Sequence, residues 1–190
     1  MTPKSIAYLV HFSLGCALFC SNSVASTVPE PVPSVSAAPS ALSGARLAGT
    51  ARLRFWGLDI YQARLWVRPG FQAPDFARHT FALELDYLRN FTRTEIATRS
   101  IEEMRRISRF SDARAEEWQG ALRAALPDVK KGDSITGLHL PGTGVRFLLN
   151  GKPCGEVRDP EFAPLFFGIW LSPAPSEPAL RQSLLAQVQP

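Results

Sequence analysis

The chain has 190 residues with 45% apolar and 10% aromatic content, enough to bury a core and to exclude wholesale disorder. Lysine and arginine number 21 against 17 acidic residues, a net charge of +4 that lacks the clustered basic stripe of a nucleic-acid binder. Three cysteines are too few for a disulfide-dense scaffold.

The N-terminus reads as an export signal. Lys4 supplies the positive region and an apolar run follows from Ile6 to Phe19. Ser23-Val24-Ala25 then offers the small residues of a cleavage site. The apolar run is shorter than the roughly 20 residues a spanning helix needs, so no membrane span is expected after cleavage near Ala25. Cleavage removes Cys16 and Cys20 and leaves only Cys154, which excludes an internal disulfide in the mature chain. Residues 26–45 are rich in proline, serine and alanine and read as a flexible spacer, because such a composition buries too little apolar area to offset its ordering entropy. The expected organisation is therefore a signal at 1–25, a spacer at 26–45 and one domain at 46–190, with the protein placed in the periplasm or outside the cell.

Within the domain, residues 51–56 and 59–67 alternate in the strand manner around Gly57 and predict a hairpin. Residues 80–88 continue the pattern, with Phe81, Leu83, Leu85 and Tyr87 on one side and Glu84 and Asp86 on the other, so one face is wet or meets polar partners. Thr92-Arg93-Thr94-Glu95 matches a capping box, and Ile96, Ile101, Met104 and Ile107 follow at helical spacing. A second helix starts at Ser111 or Asp112, carries Ala115, Trp118 and Leu122, and stops at Pro127. Strands return at Ser134–Leu140, Val145–Leu149 and Cys154–Val157, the last two joined by the hairpin signal Asn150-Gly151. Asp159-Pro160 predicts a helix start, with Asp159 as the cap and Pro160 in the first turn, and a last helix spans about Glu177 to Gln187. Bunched strands and bunched helices argue an α+β fold on an antiparallel sheet.

Motifs for chemistry are sparse. Gly142-Thr143-Gly144 lacks the helix and lysine of a phosphate loop and reads as a hairpin turn. His79, His139 and Cys154 are the soft ligands left after cleavage; none sits at a ligand-pair spacing, so no metal and no cofactor is expected. Surface histidines and a buried Cys154 are the expected arrangement. The run Arg99, Arg105, Arg106, Arg109 and Arg114 alternates with Glu102, Glu103 and Asp112 and reads as a solvated helix face. Arg99, lying between Ile96 and Met104, borders the core and would suit an anionic ligand group, or else pair with Glu95 or Glu103. The hydroxyls of Tyr61 and Tyr87 need partners if buried, which marks them as pocket candidates.

Several blocks resemble bacterial chalcone isomerase-like domains. They are Arg52-Leu53-Arg54-Phe55-Trp56-Gly57 with Ile60-Tyr61-x-Ala63-x-Leu65-Trp66, then Ile96-Ala97-x-x-Ser100-Ile101-Glu102-Glu103-Met104. Phe162-Ala163-x-x-Phe166-Phe167-Gly168-Ile169-Trp170-Leu171-Ser172-Pro173 is the longest. The resemblance implies the chalcone isomerase-like fold, an antiparallel sheet backed by a layer of helices as an open-faced sandwich with a ligand cleft between the layers. It also implies two functional types: plant enzymes that cyclise a chalcone by conjugate addition, and noncatalytic relatives that hold a fatty-acid carboxylate with an arginine and a tyrosine. Placed on this chain, the enzymes' polar positions fall near Ile60, Ile96, Arg99, Glu103 and Ile169. Isoleucine donates no hydrogen bond to an enolate, so chalcone cyclisation is not expected. The reading is an exported domain, leaning away from an enzyme, that binds a small lipophilic and fatty-acid-like molecule through Arg54, Tyr61, Tyr87 and Arg99. Its alternatives are an isomerase or intramolecular lyase acting on a conjugated carbonyl polarised by Arg99, and a tethered partner in an envelope complex.

Overall fold

The computed structural model describes Pro39, Ser40 and residues 42–188. The signal at 1–25 and most of the spacer lie outside the described residues. The order is β1 (Arg46–Phe55), β2 (Leu58–Val67), a 3-10 turn (Phe76–Arg78), β3 (Phe81–Tyr87), α1 (Arg93–Ile107), α2 (Asp112–Ala125), β4 (Ser134–Leu140), β5 (Gly144–Leu149), β6 (Lys152–Val157), α3 (Phe162–Leu171) and α4 (Pro178–Leu184). Three strands, a helical pair, a three-strand meander and two further helices are the order expected from the sequence.

The six strands pair antiparallel in chain order, β1 to β6. The two tightest hairpins both use left-handed residues: Trp56-Gly57 at φ 50° and 77°, and Asn150-Gly151 at φ 49° and 77°. Period-2 alternation sends Leu65, Leu83 and Phe147 into one cross-strand row and Val67, Phe81, His139 and Val145 into the next. This face packs on the helices to form the main core. Where the helices come closest, a side chain has no room. A Cβ at Gly49 would collide with the backbone at the end of α4, and one at Gly155 with the backbone of Ala125 at the end of α2. The opposite face does carry the polar partners expected for Glu84 and Asp86: Arg64 pairs with Asp86, and Glu84 accepts from Trp66 Nε1 at 3.0 Å and Ser134 Oγ at 3.2 Å.

The Thr92 capping box forms as read. The Thr92 hydroxyl accepts from the Glu95 amide, and the Glu95 carboxylate accepts from the Thr92 amide at 2.7 Å. Ser111, rather than Asp112, caps α2. α3 starts later than Asp159-Pro160 implies, at Phe162 with Glu161 at the cap position. Asp159 still receives the Glu161 and Phe162 amides at 2.8 and 3.0 Å, but its other oxygen accepts from Trp118 Nε1 at 2.8 Å. Anchoring to α2 sets the chain through a turn before α3 can begin. α4 ends at Leu184 instead of reaching Gln187, because the Gln187 amide turns aside to donate to the Ala48 carbonyl at the edge of β1.

Two further expectations are corrected. The end of the 26–45 stretch is part of the fold: Leu42 is fully buried against Trp66, Ala82 and Leu138 on the outer face of the sheet. One leucine anchors a segment whose composition otherwise reads as spacer. The polarity of the soft ligands is also reversed, with His139 buried and Cys154 exposed. His139 sits in the central strand β4, stacked on Phe81 at 4.9 Å, and its Nδ1–H donates to the His79 carbonyl at 2.7 Å. Cys154 sits on the edge strand β6, most of which is exposed.

Candidate functional site

A cleft of about 370 Å³ opens between the Tyr61–Tyr87 end of the sheet and helices α1, α3 and α4. Its floor is Leu53, Tyr61, Leu85, Tyr87, Ile135 and Phe147. Ile96 and Ser100 of α1, Phe166, Ile169 and Trp170 of α3, and Leu180 of α4 form the opposite wall. Ser100 is the small buried residue that α1 brings to this lining, and its hydroxyl donates back to the Ile96 carbonyl at 2.8 Å. Phe55 lines the mouth and stays half exposed, next to Trp56, which is 91% exposed at the hairpin tip.

Few polar groups reach this volume. The Tyr61 oxygen accepts from Trp170 Nε1 at 3.0 Å, and among the described residues its own O–H has no acceptor. Tyr87 lies edge-on to it, with ring centroids 6.2 Å apart. Burial pushes both phenols above their ordinary range, so they remain neutral donors. At the other side of the cleft Arg99 contacts Glu102 at 3.2 Å and Glu103 at 2.5 Å. The Arg99 side chain is 56% exposed, whereas that of Glu103 is 7% exposed. Glu103 also has Arg106 Nε at 3.6 Å. Both arginines meet the same oxygen, Oε1, so the buried carboxylate is held by two guanidinium groups. Glu95, at the rim, is held below the usual carboxylate range by the Thr92 amide and hydroxyl.

Of the residues singled out in the sequence, the structure brings Tyr61, Tyr87 and Arg99 to this cleft. Arg54 stands apart: it is outside the lining, its side chain is 68% exposed, and its Nε pairs with Asp59 at 2.6 Å. Its neighbours Leu53 and Phe55 line the cleft, and strand alternation turns Arg54 away from them. Arg99 pairs with Glu103, as weighed, while Glu95 is taken by the cap. The sequence offers Glu103 as a partner for Arg99 and as a position near one of the enzymes' polar residues but not as a binding residue, since a glutamate in an Arg/Glu-rich helix reads as solvated. Its place two helical turns beyond Ile96 was the available signal. Among the described residues no three His, Cys, Asp or Glu side chains gather as a metal site, and no helix is long and apolar enough to cross a membrane.

Comparison with known proteins joins this geometry to a family. The family model described as chalcone isomerase-like matches residues 37–186. The chain belongs to the chalcone isomerase-like family. Among solved structures it resembles the crystal structure of an Arabidopsis thaliana fatty-acid binding protein, with a TM-score of 0.57 and 12% sequence identity over 75% of this chain and 87% of that one. At that identity the likeness is one of fold. No curated protein matches the chain. For this chalcone isomerase-like chain, the positions Ile60, Ile96, Arg99, Glu103 and Ile169 all line the cleft. Three of these five positions are isoleucines, which furnish wall and no hydrogen bond.

Proposed function

We propose that this protein is an exported, noncatalytic chalcone isomerase-like domain whose cleft binds a small lipophilic molecule. The observation that carries this reading is the cleft itself: an open-mouthed, largely apolar volume of about 370 Å³ met by two neutral phenols and the Arg99–Glu103 pair, with Glu95 and Glu177 also in its lining. Its size falls at the lower end of small-molecule sites, which are mostly apolar with a few placed polar groups. The fatty-acid binding activity named for the Arabidopsis structure makes an alkyl-chain ligand the first class to test. Export rests on the sequence of residues 1–25, and N-terminal sequencing of the periplasmic or secreted protein tests it, with Ser26 as the expected first residue.

The binding experiment is uptake of a polarity-sensitive naphthalene probe, with displacement by alkyl-chain compounds. Saturable 1:1 uptake that is lost in Ile169→Trp, a change that fills the cleft without touching a polar group, supports the reading. Absence of uptake by a folded protein sinks it. The isomerase alternative rests on Arg99 alone as a polarising group, and its guanidinium is already engaged by Glu102 and Glu103. Chalcone absorbance decay above the uncatalysed rate, abolished in Arg99→Ala, would establish that alternative.

A further inference from the structure

Among the described residues the large apolar side chains left exposed are Phe55, Trp56 and Leu58, all at the β1–β2 turn. Trp56 stacks on Phe55 with ring centroids 5.9 Å apart. It also holds a left-handed φ of 50°, a conformation that suits asparagine and costs an aromatic residue stability. Trp56 belongs to neither core cluster, so packing within the chain does not offset that cost. The charge around the turn is one-sided. Antiparallel order brings the β1–β2 turn, the chain after β3, the chain before β4 and the β5–β6 turn to one end of the sheet. Arg52, Arg54, Arg89, Lys130, Lys131 and Lys152 are exposed there, against the two acids Asp59 and Asp133. That surplus equals the net charge of the whole chain, +4. Asp59 holds both Arg52 and Arg54, whereas Arg89, Lys131 and Lys152 form no ion pair among the described residues. Beside them Arg93 and Asp128 pair with each other, and Glu95 is turned to Thr92. An exposed tryptophan ringed by cations suits a membrane interface, where the indole sits at headgroup depth and Lys and Arg meet anionic lipid. Phe55 also lines the cleft, so apolar surface runs from this turn into the cavity.

We propose that the β1–β2 turn docks the domain on a lipid bilayer that carries anionic lipid. Trp56 and Leu58 enter the headgroup boundary, and the cations at the same end of the sheet meet the lipid phosphates. In this orientation the mouth of the cleft, at Phe55, opens at the bilayer surface. The docking goes beyond the lipophilic-cleft reading and stands without it.

Of the four tryptophans only Trp56 is exposed, Trp66, Trp118 and Trp170 being buried, so its emission reports on the turn even in the full chain. The test adds vesicles of phosphatidylcholine, alone or with about a third phosphatidylglycerol, at low salt. With the mixed vesicles the emission should shift to the blue and be quenched by lipids brominated on the acyl chain. Binding to them should be at least about tenfold tighter than to pure phosphatidylcholine, and weaken as salt is raised. Trp56→Asn, which places a suitable residue at this φ, should lower vesicle binding at least about tenfold without lowering the unfolding midpoint. Should that variant fail to fold, Leu58→Ser on the same turn gives the loss. Lys130→Gln with Lys131→Gln should lower binding to the mixed vesicles about tenfold and leave that to phosphatidylcholine within twofold. An emission unchanged by mixed vesicles overturns the proposal, as does vesicle binding that the turn variants leave intact, or equal binding to both vesicle types. A lipid-free dimer dispersed by Trp56→Asn would also overturn it, by making a second copy the cover of this turn. None of these results bears on uptake of the naphthalene probe, which tests the cleft separately.

Discussion

The space between sheet and helices is sealed at one end and open at the other, although aromatic residues supply both. At the sealed end Phe81 stacks on His139, meets Phe167 edge-on at 4.8 Å, and is covered by Phe71 and Phe76 from the segment before β3. At the open end Tyr61 and Tyr87 occupy the corresponding inward positions of β2 and β3 and leave a cavity above them. The difference lies in polarity and in cover. Phenylalanine fills the end that excludes water, with Gly137 removing the side chain that would otherwise press on the Phe167 ring. Tyrosine stands where a hydroxyl still has something to meet. The same layer thus serves stability at one end and recognition at the other.

The sharpest break of this contrast is a matched pair of truncations. Phe167→Ala at the sealed end should cost about 3–5 kcal/mol in denaturant unfolding, whereas Ile169→Ala beside existing space should cost only about 1 kcal/mol. Equal losses would mean that the two ends are packed alike. Next comes acid sensitivity at the sealed end. Burial holds the His139 pKa below its ordinary 6.5, partly offset by the bond to His79. The neutral form is therefore favoured by folding: its contribution is complete above pH 6.5 and is lost as pH falls below it. Unfolding midpoints between pH 7 and pH 5 should show a decline that His139→Phe flattens. At the open end Tyr61→Phe should cost about 1 kcal/mol, because the Trp170 N–H loses its acceptor, while Tyr87→Phe changes stability little. The smallest effect is a gain. Trp56→Asn places a residue suited to the left-handed region at φ 50°, matching the Asn150-Gly151 turn, and should stabilise by about 0.5 kcal/mol without altering the core.

Features set by neighbours in the chain agree between sequence and structure, and features set by place in the sheet do not. The capping box at Thr92, the hairpin at Asn150-Gly151 and the inward row through Phe81, Leu83 and Leu85 depend on neighbours in the chain, and all appear in place. Cys154 and His139 depart from the expected burial because burial in a sheet depends on whether a strand is central or at an edge, which no local period records. Leu42 was lost in a Pro/Ser/Ala-rich context, since the apolar spot it covers is assembled from β2, β3 and β4. In the site, Tyr61, Tyr87 and Arg99 could be picked by residue type and position. Glu103 needed the packing of α1 over the cleft, and Arg54 needed the pleat of β1.

The turn of Gln187 onto β1 has a kinetic consequence. Each strand pairs with its predecessor in the chain, so the sheet can grow in order of synthesis. The edge of β1, however, waits for the last segment: the Gln187 amide bonds to Ala48, the Arg46 guanidinium to the Gln187 carbonyl, and the end of α4 closes over Gly49. The first strand to be made is the last to be covered, and a chain shortened before α4 would carry a bare strand edge open to pairing with another copy.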